Sequence, residues 1–573
     1  MAQSKPSRKL DAQYDVVIIG AGINGAGTFR ELCLQGLKCL LIDKSDFSSG
    51  TSAAPSRLIH GGLKYIETGE FRLVAESTLE RNLLLKNARH FVRPLPTYIP
   101  ATSYWKGVVP ALKTFLKRPS PMRARGAFII KAGLFIYDWY GRRERTMPRH
   151  HMLFGKSLRR FMPSLSPNVV ALGHYYDALI TQPERLVLEL VEDGEAAFEG
   201  STALNYAQIS SLQNSDLIVE DLITNEKHAL SAKFVINAAG PWIDHVNAVL
   251  GEETHFIGGN KGSHVLLDHP VLAEILGDKM VYFEGEDGRI LLAFVYHGKV
   301  LAGSTDIPSK DPDLVRCSDD EVTYFFDCLK HLFPKLEFLR EQIVFTYSGI
   351  RPLPNAKGLP PGMVSRDHSM PTLDPSAKRP FPVMSLVGGK WTTFRAFSEQ
   401  VGDMVLAHLQ KPRLKSSKYE AIGGGKKYPK TLSEFQKISY GLHTEYGVAQ
   451  KHINNLINRY GLKKTTAILS SMNQKERIEP TLIAGLLLAE IQWVCQHESV
   501  RHLDDYILRR TEIAYQGLTS EALNSISSAI SLALGWDEDK LHTEKARLAN
   551  ILFNHHGIQW ADNRVSYMSE ANL

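Results

Sequence analysis

The sequence predicts an α/β protein, with a parallel sheet built at its N-terminal end and a helical region at its C-terminal end. Three observations carry this. A branched, uniformly apolar run, Val16-Val-Ile-Ile19, opens directly into the glycine-rich turn Gly20-Ala-Gly-Ile-Asn-Gly-Ala-Gly27. A second apolar run, Lys38-Cys-Leu-Leu-Ile42, follows after one helix length and ends in Asp43. Beyond Leu414 the apolar residues change to helical spacing, over Val448 to Tyr460, Leu482 to Glu498 and Thr519 to Trp536, with Gly461 and Gly535 marking helix ends.

The first two runs have the composition of strands covered on both faces, as in a parallel sheet. Gly20 is placed for the tight turn, Gly22 for close approach of the backbone to a pyrophosphate, and Gly25 for packing of the following helix on the strands. Phosphate charge would then meet the unpaired N–H groups of the helix N-terminus. Asp43, at the end of the second strand, is spaced to accept the ribose hydroxyls of an adenosine. Strand, glycine triplet, helix, strand and acid in this order indicate a dinucleotide site; an incidental glycine-rich turn is the alternative. The small, Ser- and Gly-rich stretch from Phe47 to Tyr65 contains Thr51, Ser52, His60 and Gly61. Such a loop can line an extended cofactor, and it suits FAD better than a nicotinamide that must bind and leave. Phe234 to Ala238 reads as another strand, and Ala239-Gly240 as a tight turn beside the cofactor, with a plain buried strand and turn as the alternative.

The chain has 573 residues, 43% hydrophobic and 22% charged, enough for two or three domains and far from the composition of a disordered protein. Its five cysteines, Cys33, Cys39, Cys317, Cys328 and Cys495, have no metal-site spacing, and their odd number argues against a disulfide scaffold. No metal is expected. HExxH, GKS/GKT phosphate-loop, GxSxG and CxxC motifs are absent. The short basic N-terminus has no signal-peptide core, and no apolar stretch reaches the length of a membrane span.

Several segments together resemble the FAD-dependent glycerol-3-phosphate dehydrogenase family, within the wider glycine-oxidase-like flavoproteins. They are Gly20 to Gly25, TSAAPSRLIHGGLKYIE from Thr51, EFRLVAESTLERNLLL from Glu70, Val235 to Trp242, Lys261 to His264, Gly303 to Asp306, Tyr347 to Leu353 and Gly388 to Arg395. Arg501 to Thr511 extends the resemblance into the helical tail. It implies a Rossmann-like parallel sheet that binds FAD, an interleaved antiparallel-sheet substrate domain, and a C-terminal helical domain. The expected division is an interleaved catalytic region over 1–414, a linker over 415–427 and a helical domain over 428–573. Within the first, about 12–100, 165–250 and 345–414 would bind FAD, and about 101–164 and 251–344 would face substrate and membrane.

The implied reaction oxidises sn-glycerol 3-phosphate to dihydroxyacetone phosphate and passes electrons to a quinone. An oxidase using oxygen, and an amine or 2-hydroxy-acid oxidase of the same fold, are the alternatives. The substrate combines a phosphate dianion with a secondary alcohol. Arginine suits the first because its planar fork pairs two phosphate oxygens. Arg351, stiffened by Pro352, and Arg366 are carried over from the family as substrate-binding positions. His264, just outside the strand-like run Val265-Leu-Leu267, is the candidate base for the hydroxyl proton, since imidazole titrates near neutrality and neighbouring cations favour its neutral form. Lys64 stands where the family commonly has Arg, keeping the charge and losing the fork. Tyr65 could donate through its hydroxyl or simply pack; Thr305 matches a substrate-side threonine, and Asp306 would orient a loop. Lys390, beside Gly389 in GGKWTTF, would sit near the flavin ring and touch substrate, with Thr393 hydrogen-bonding the ring or seating the next helix.

Between Tyr104 and His150 there are eleven Lys or Arg against two acidic residues, so this segment carries the net charge of +6. Phe128, Ile129, Leu134, Phe135, Tyr137 and Trp139 alternate there with Lys113, Lys117, Arg118, Arg123, Arg125 and Lys131, followed by Arg142, Arg143 and Arg145. Apolar wedges rimmed by cations suit an anionic lipid interface; a buried helix with a basic flank is the alternative. The expected location is the cytoplasm, peripherally on the inner face of the cytoplasmic membrane. No nucleic-acid fold accompanies the basic patch. A homodimer stays open.

Overall fold

The computed structural model describes residues 10–67, 69–106, 125–309, 311–355, 367–561 and 564–568. Strand Gln13–Ile19 lies at the centre of the first sheet, parallel to Cys39–Asp43 on one side and Lys227–Asn237 on the other. Thr202–Asn205 and Val383–Ser385 extend the sheet in parallel at either end. Val16, Val17, Ile18, Leu40, Leu41 and Ile236 have no exposed surface, which is why these runs carry no polar alternation. Helices Ile23–Leu34, Pro183–Ala197 and Phe394–His408 share one apolar cluster with this sheet, through residues such as Phe29, Val187 and Phe397.

The second sheet is mostly antiparallel and has ten strands among the described residues. Its strands Asn260–Leu267, Lys299–Gly303 and Ile343–Arg351 come from the middle of the chain, and Val92–Ala101 and Ala171–Ile180 from earlier segments. The two sheets are therefore interleaved along the sequence. The sequence placed His264 just outside a strand starting at Val265, whereas it lies within Asn260–Leu267, paired with Gly303 on one side and Tyr347 on the other. The polar and glycine residues of Lys261-Gly-Ser-His hid the strand, because pairing on both sides is not encoded locally.

The C-terminal part is helical, and its largest cluster buries Leu456, Ile457, Tyr506 and Ile526 together with Phe294, Phe345 and Tyr347 of the second sheet. It packs on the catalytic body through a shared core. Gly461 ends the helix that starts at Gln450, as its position suggested, and a second helix continues from it to Ser471. It takes a non-helical φ of 69° where the backbone passes Gly424 closely; a Cβ there would stand 2.3 Å from the Gly424 carbonyl oxygen. One element differs from the periodicity. Leu482 to Leu487 forms a two-stranded hairpin before helix Leu488–His497, because Ala484 and Gly485 both take positive φ and turn the chain back. Gly535 caps Ser520–Leu534 in the left-handed conformation, as its position suggested. All five cysteines are buried and unbridged.

Candidate active site

The glycine motif is shaped by backbone contacts. Gly20 takes φ of 102°, and a Cβ on Gly25 would stand 1.8 Å from the Gly20 carbonyl oxygen, so the turn and the helix can meet only without a side chain there. Gly22 precedes the helix, and the first helical N–H, that of Ile23, donates to Ser52 Oγ at 2.9 Å. A Cβ on Gly22 would come within 2.9 Å of that same oxygen. Asp43 accepts the Ala21 N–H at 2.7 Å and the Ser45 N–H at 2.9 Å, one on each carboxylate oxygen. A carboxylate has about four acceptor positions, so capacity remains for ribose hydroxyls. Burial pushes its carboxyl up to about 6, against the two N–H donors.

Buried polar atoms around this cradle lack partners among the described residues. They include Asn24 Oδ1 and Thr393 Oγ1. Asn24 Nδ2 donates to the Gly388 carbonyl, and a Cβ on Gly389 would stand 3.0 Å from Asn24, which joins the first glycine loop to GGKWTTF. Orphaned oxygens beside open backbone, a helix N-terminus and an acid at the second strand end fit a dinucleotide with a polar ring system. Gly240, with φ of 57°, has open space where its Cβ would be.

Between Asp43 and the second sheet runs the loop that carries Thr51 and Ser52. Thr51 donates to the Ile350 carbonyl at 2.6 Å, and a Cβ on Gly349 would touch the Ala54 methyl at 2.9 Å. One face of the second sheet is thereby pressed against the loop. Gly262 pairs with Gly349 and Asn260 with Arg351, so Gly262, His264, Tyr347 and Arg351 fall on that same face by strand alternation. The Arg351 guanidinium crosses the bare surface of Gly262 and donates to Ser304 Oγ at 3.0 Å, the Thr305 carbonyl at 3.1 Å and Asp306 Oδ1 at 3.1 Å. His264 shares a 2.8 Å hydrogen bond through Nε2 with Ser56 Oγ and stacks on Tyr347, while its Nδ1 has no partner among the described residues. Burial, then the Arg351 and Arg57 cations, hold this imidazole well below its usual pKa. It is neutral at working pH, as a proton acceptor must be.

A second group of the selected residues gathers around Tyr65. Lys390 Nζ lies 3.5 Å from the centre of the Tyr65 ring, which stacks on His60 at 6.4 Å. Helix Phe71–Asn87 sets this geometry: Ser77 Oγ is 3.4 Å from Lys390 Nζ, and Glu80 holds Arg395 of the same motif through two bonds of 2.7 and 2.8 Å. The His60 N–H donates to Thr392 Oγ1, and the Gly61 N–H to Tyr137 and Asp177. Lys64 lines a cavity of about 1340 Å³ between helix Ala127–Tyr140 and the second sheet. Thr305 stands differently: its hydroxyl donates to Glu321 at 2.5 Å and accepts the Ser263 N–H, tying down the loop that Arg351 grips. Arg366 lies outside the described residues.

A family model for FAD dependent oxidoreductases matches residues 15–370, and one for the C-terminal domain of alpha-glycerophosphate oxidase matches 416–541. A glycerol-3-phosphate dehydrogenase from Synechocystis is 32% identical over 563 residues, covering 92% of this chain and 94% of the relative. The chain belongs to the FAD-dependent glycerol-3-phosphate dehydrogenase family. The aerobic glycerol-3-phosphate dehydrogenase of Escherichia coli is 28% identical, covering 87% of this chain and 93% of the relative. The fold is also that of a glycerol-3-phosphate dehydrogenase from Bacillus halodurans complexed with FAD, with a TM-score of 0.71 at 22% identity and 95% of each chain covered.

Within this glycerol-3-phosphate dehydrogenase family chain, sequence reasoning passed over Asn24, Ser56, Arg57 and Trp391. Asn24 stood inside the glycine motif, where only the glycines were weighed. Trp391 donates from its ring N–H to the Ser52 carbonyl at 3.1 Å, and its place in GGKWTTF was the available signal. Ser56 and Arg57 lie in TSAAPSRLIHGG, which was the available signal, but their partners are distant in sequence.

Proposed function

We propose that the chain oxidises sn-glycerol 3-phosphate to dihydroxyacetone phosphate and delivers the electrons to a membrane quinone. The observation that carries this reading is the shared sheet face on which a loop-fixed guanidinium, Arg351, and a buried neutral imidazole, His264, stand opposite the Thr51–Ser56 loop. Bound FAD supplies an acceptor for the hydride that leaves C2. Gly20, Gly22, Gly25, Asp43, Ser52, Asn24 and Thr393 would hold that cofactor.

Arg351 pairs with the substrate phosphate through its fork, and the bonds to Ser304, Thr305 and Asp306 fix where that fork stands. Lys390 adds a second cation, held over Tyr65. Lys64 extends the cationic set. His264 accepts the C2 hydroxyl proton, which raises electron density at the carbon as its hydrogen departs. Burial of the imidazole excludes water from the proton's destination.

The reading also places the chain on an anionic lipid surface. Helix Ala127–Tyr140 buries Ala127, Ile130, Leu134 and Tyr137 and turns Phe128 (50% exposed), Phe135 (66%) and Trp139 (58%) outward, next to Trp105 (67%). Lys131 and Arg142 flank this apolar stripe, a combination that lies stably in a headgroup layer. Lys113, Lys117, Arg118 and Arg123 fall outside the described residues. Among the described residues no helix is long and apolar enough to cross a membrane. The apolar cavity beside this helix supports a lipid-soluble acceptor.

Anaerobic addition of glycerol 3-phosphate should bleach the oxidised-flavin absorbance of the purified protein, and an unchanged spectrum would refute the substrate. Mixing the reduced protein with quinone or with oxygen in a stopped-flow instrument then tests the acceptor. Faster reoxidation by oxygen, with peroxide formed, would reassign the chain as an oxidase.

A further inference from the structure

The loop that carries Thr51, Ser52 and Ser56 is anchored at both ends by ionised side chains with almost no exposed surface. At its start, Asp46 accepts two parallel bonds from the Arg510 guanidinium, at 2.8 and 2.9 Å, and a third from Arg509 Nε at 2.6 Å. At its end, Arg57 takes φ of 59°, has 0% exposure, and donates to Glu184 at 2.7 Å and to the Tyr515 hydroxyl oxygen at 2.6 Å. The Tyr515 hydroxyl in turn donates to Glu184 at 2.9 Å. The Arg57 guanidinium lies over the rings of Tyr515, Tyr347 and Tyr296, at 4.6, 5.2 and 5.4 Å. Arg509, Arg510 and Tyr515 all belong to the C-terminal helical domain, and the first two close a π-helical turn, Asp505–Arg510, that presents adjacent side chains to one carboxylate.

Between these anchors four residues of the loop contact the active-site side, while Phe47 packs into the apolar cluster of the first sheet. Ser52 accepts from the helix N-terminus and Thr51 reaches the strand that ends at Arg351. Tyr347 donates to the Pro55 carbonyl at 3.0 Å, and Ser56 meets His264. We infer that Arg509, Arg510 and Tyr515 are positioning residues: the C-terminal domain clamps both ends of the 46–57 loop, and so fixes Ser52 and Thr51 against the cofactor and Ser56 against His264. The role of Ser56 and His264 in this inference rests on the function proposed above; the hold on the cofactor does not.

The geometry leaves little slack. Arg57 is the residue after Ser56, so a shift of its guanidinium moves the hydroxyl that orients the imidazole, and small misplacements of reacting groups cost large factors in rate. Tyr515→Phe keeps the ring under Arg57 and removes both hydrogen bonds. Arg510→Lys keeps the charge beside Asp46 and removes the paired bonds. Tyr460→Phe is the control: it removes a similarly buried phenol bond within the same domain, to Glu490 at 2.7 Å, and that phenol bonds neither the loop nor the side chains that anchor it.

The test measures two rates on the full-length holoprotein: release of FAD, and anaerobic flavin reduction by glycerol 3-phosphate. Tyr515→Phe and Arg510→Lys should each change at least one of these by about tenfold or more, while Tyr460→Phe stays within about twofold of wild type at a comparable loss of melting temperature. Wild-type rates in both loop variants, or equal losses in all three, would overturn the inference. So would failure of both loop variants to fold while Tyr460→Phe folds, since the contacts would then serve folding alone. If the wild-type flavin is not reduced by glycerol 3-phosphate, the substrate reading fails, and the FAD release rates alone decide the clamp.

Discussion

Arg351 offers the most direct test of how the substrate is held. Its guanidinium spans Ser304 on one nitrogen and the Thr305 carbonyl with Asp306 on the other, at 3.0 to 3.1 Å. Arg351→Lys puts all donors at one point, so the ammonium cannot reach both sides and also present two parallel bonds to a phosphate. Each charged hydrogen bond contributes about 1.5–3 kcal/mol, so losing one of a pair should lower kcat/KM for glycerol 3-phosphate by about 10- to 150-fold. Arg351→Ala should lose more, because both bonds go. The phosphate is bound before and during the reaction, so most of the loss should be a higher KM with a smaller change in kcat. The fold should be little affected: the Arg351–Asp306 pair is 23% and 16% exposed on its two side chains, and partly exposed pairs of this kind contribute about 1 kcal/mol or less. The assay is steady-state turnover with an artificial acceptor, alongside FAD content and melting temperature. If both variants retain FAD and keep kcat/KM within about threefold of wild type, Arg351 is not the phosphate anchor.

Three further outcomes follow from the same geometry. Gly25→Ala would set a methyl 1.8 Å from a backbone oxygen, forcing helix Ile23–Leu34 off its strand by about 1 Å or more, and the protein should purify with little FAD; a normal flavin-to-protein absorbance ratio would contradict this. His264 is held below its usual pKa, so lowering the pH from about 8 to 6 should not protonate it, and activity governed by it should fall only in more acidic solution; a histidine NMR titration assigning it a midpoint near neutrality would count against its role as a ready base. Replacing Phe135 and Trp139 together by Glu should cut co-sedimentation with anionic vesicles by about tenfold or more while leaving turnover with a water-soluble acceptor intact. Undiminished sedimentation would remove helix Ala127–Tyr140 from the lipid surface.

The dinucleotide half of the protein was legible because its constraints are local. A carbonyl 1.8 Å from where a Cβ would be admits one residue type, so the positions of Gly20 and Gly25 record the turn directly. The continuous apolar runs record burial on both faces of the sheet in the same way. The amphipathic segment was half legible. Its composition announced aromatics and cations, but assigning them to faces required the helix itself, which turns Leu134 and Tyr137 inward and leaves Phe128, Phe135 and Trp139 outside. Tyr137 then proves to serve the catalytic body, accepting the Gly61 N–H at 2.7 Å.

The active-site face was least legible, since register, not composition, creates it. His264 acquires its neighbours by pairing with Gly303 and Tyr347, two strands from distant parts of the chain, and a shift of one residue in either pairing would have turned it to the opposite face with Ser263. Family resemblance could carry residue roles across this gap, yet it could not supply partners that no motif records. Arg57 is such a case: a fully buried cation in a loop reads as an error until Glu184, Tyr296, Tyr347 and Tyr515 are brought around it from four other segments. A charge buried at that cost persists only where its surroundings are completely specified, and here those surroundings join the cofactor loop, the strand beside His264 and the C-terminal domain. The physical unit that orients the imidazole therefore extends well beyond the segments that first identified the family.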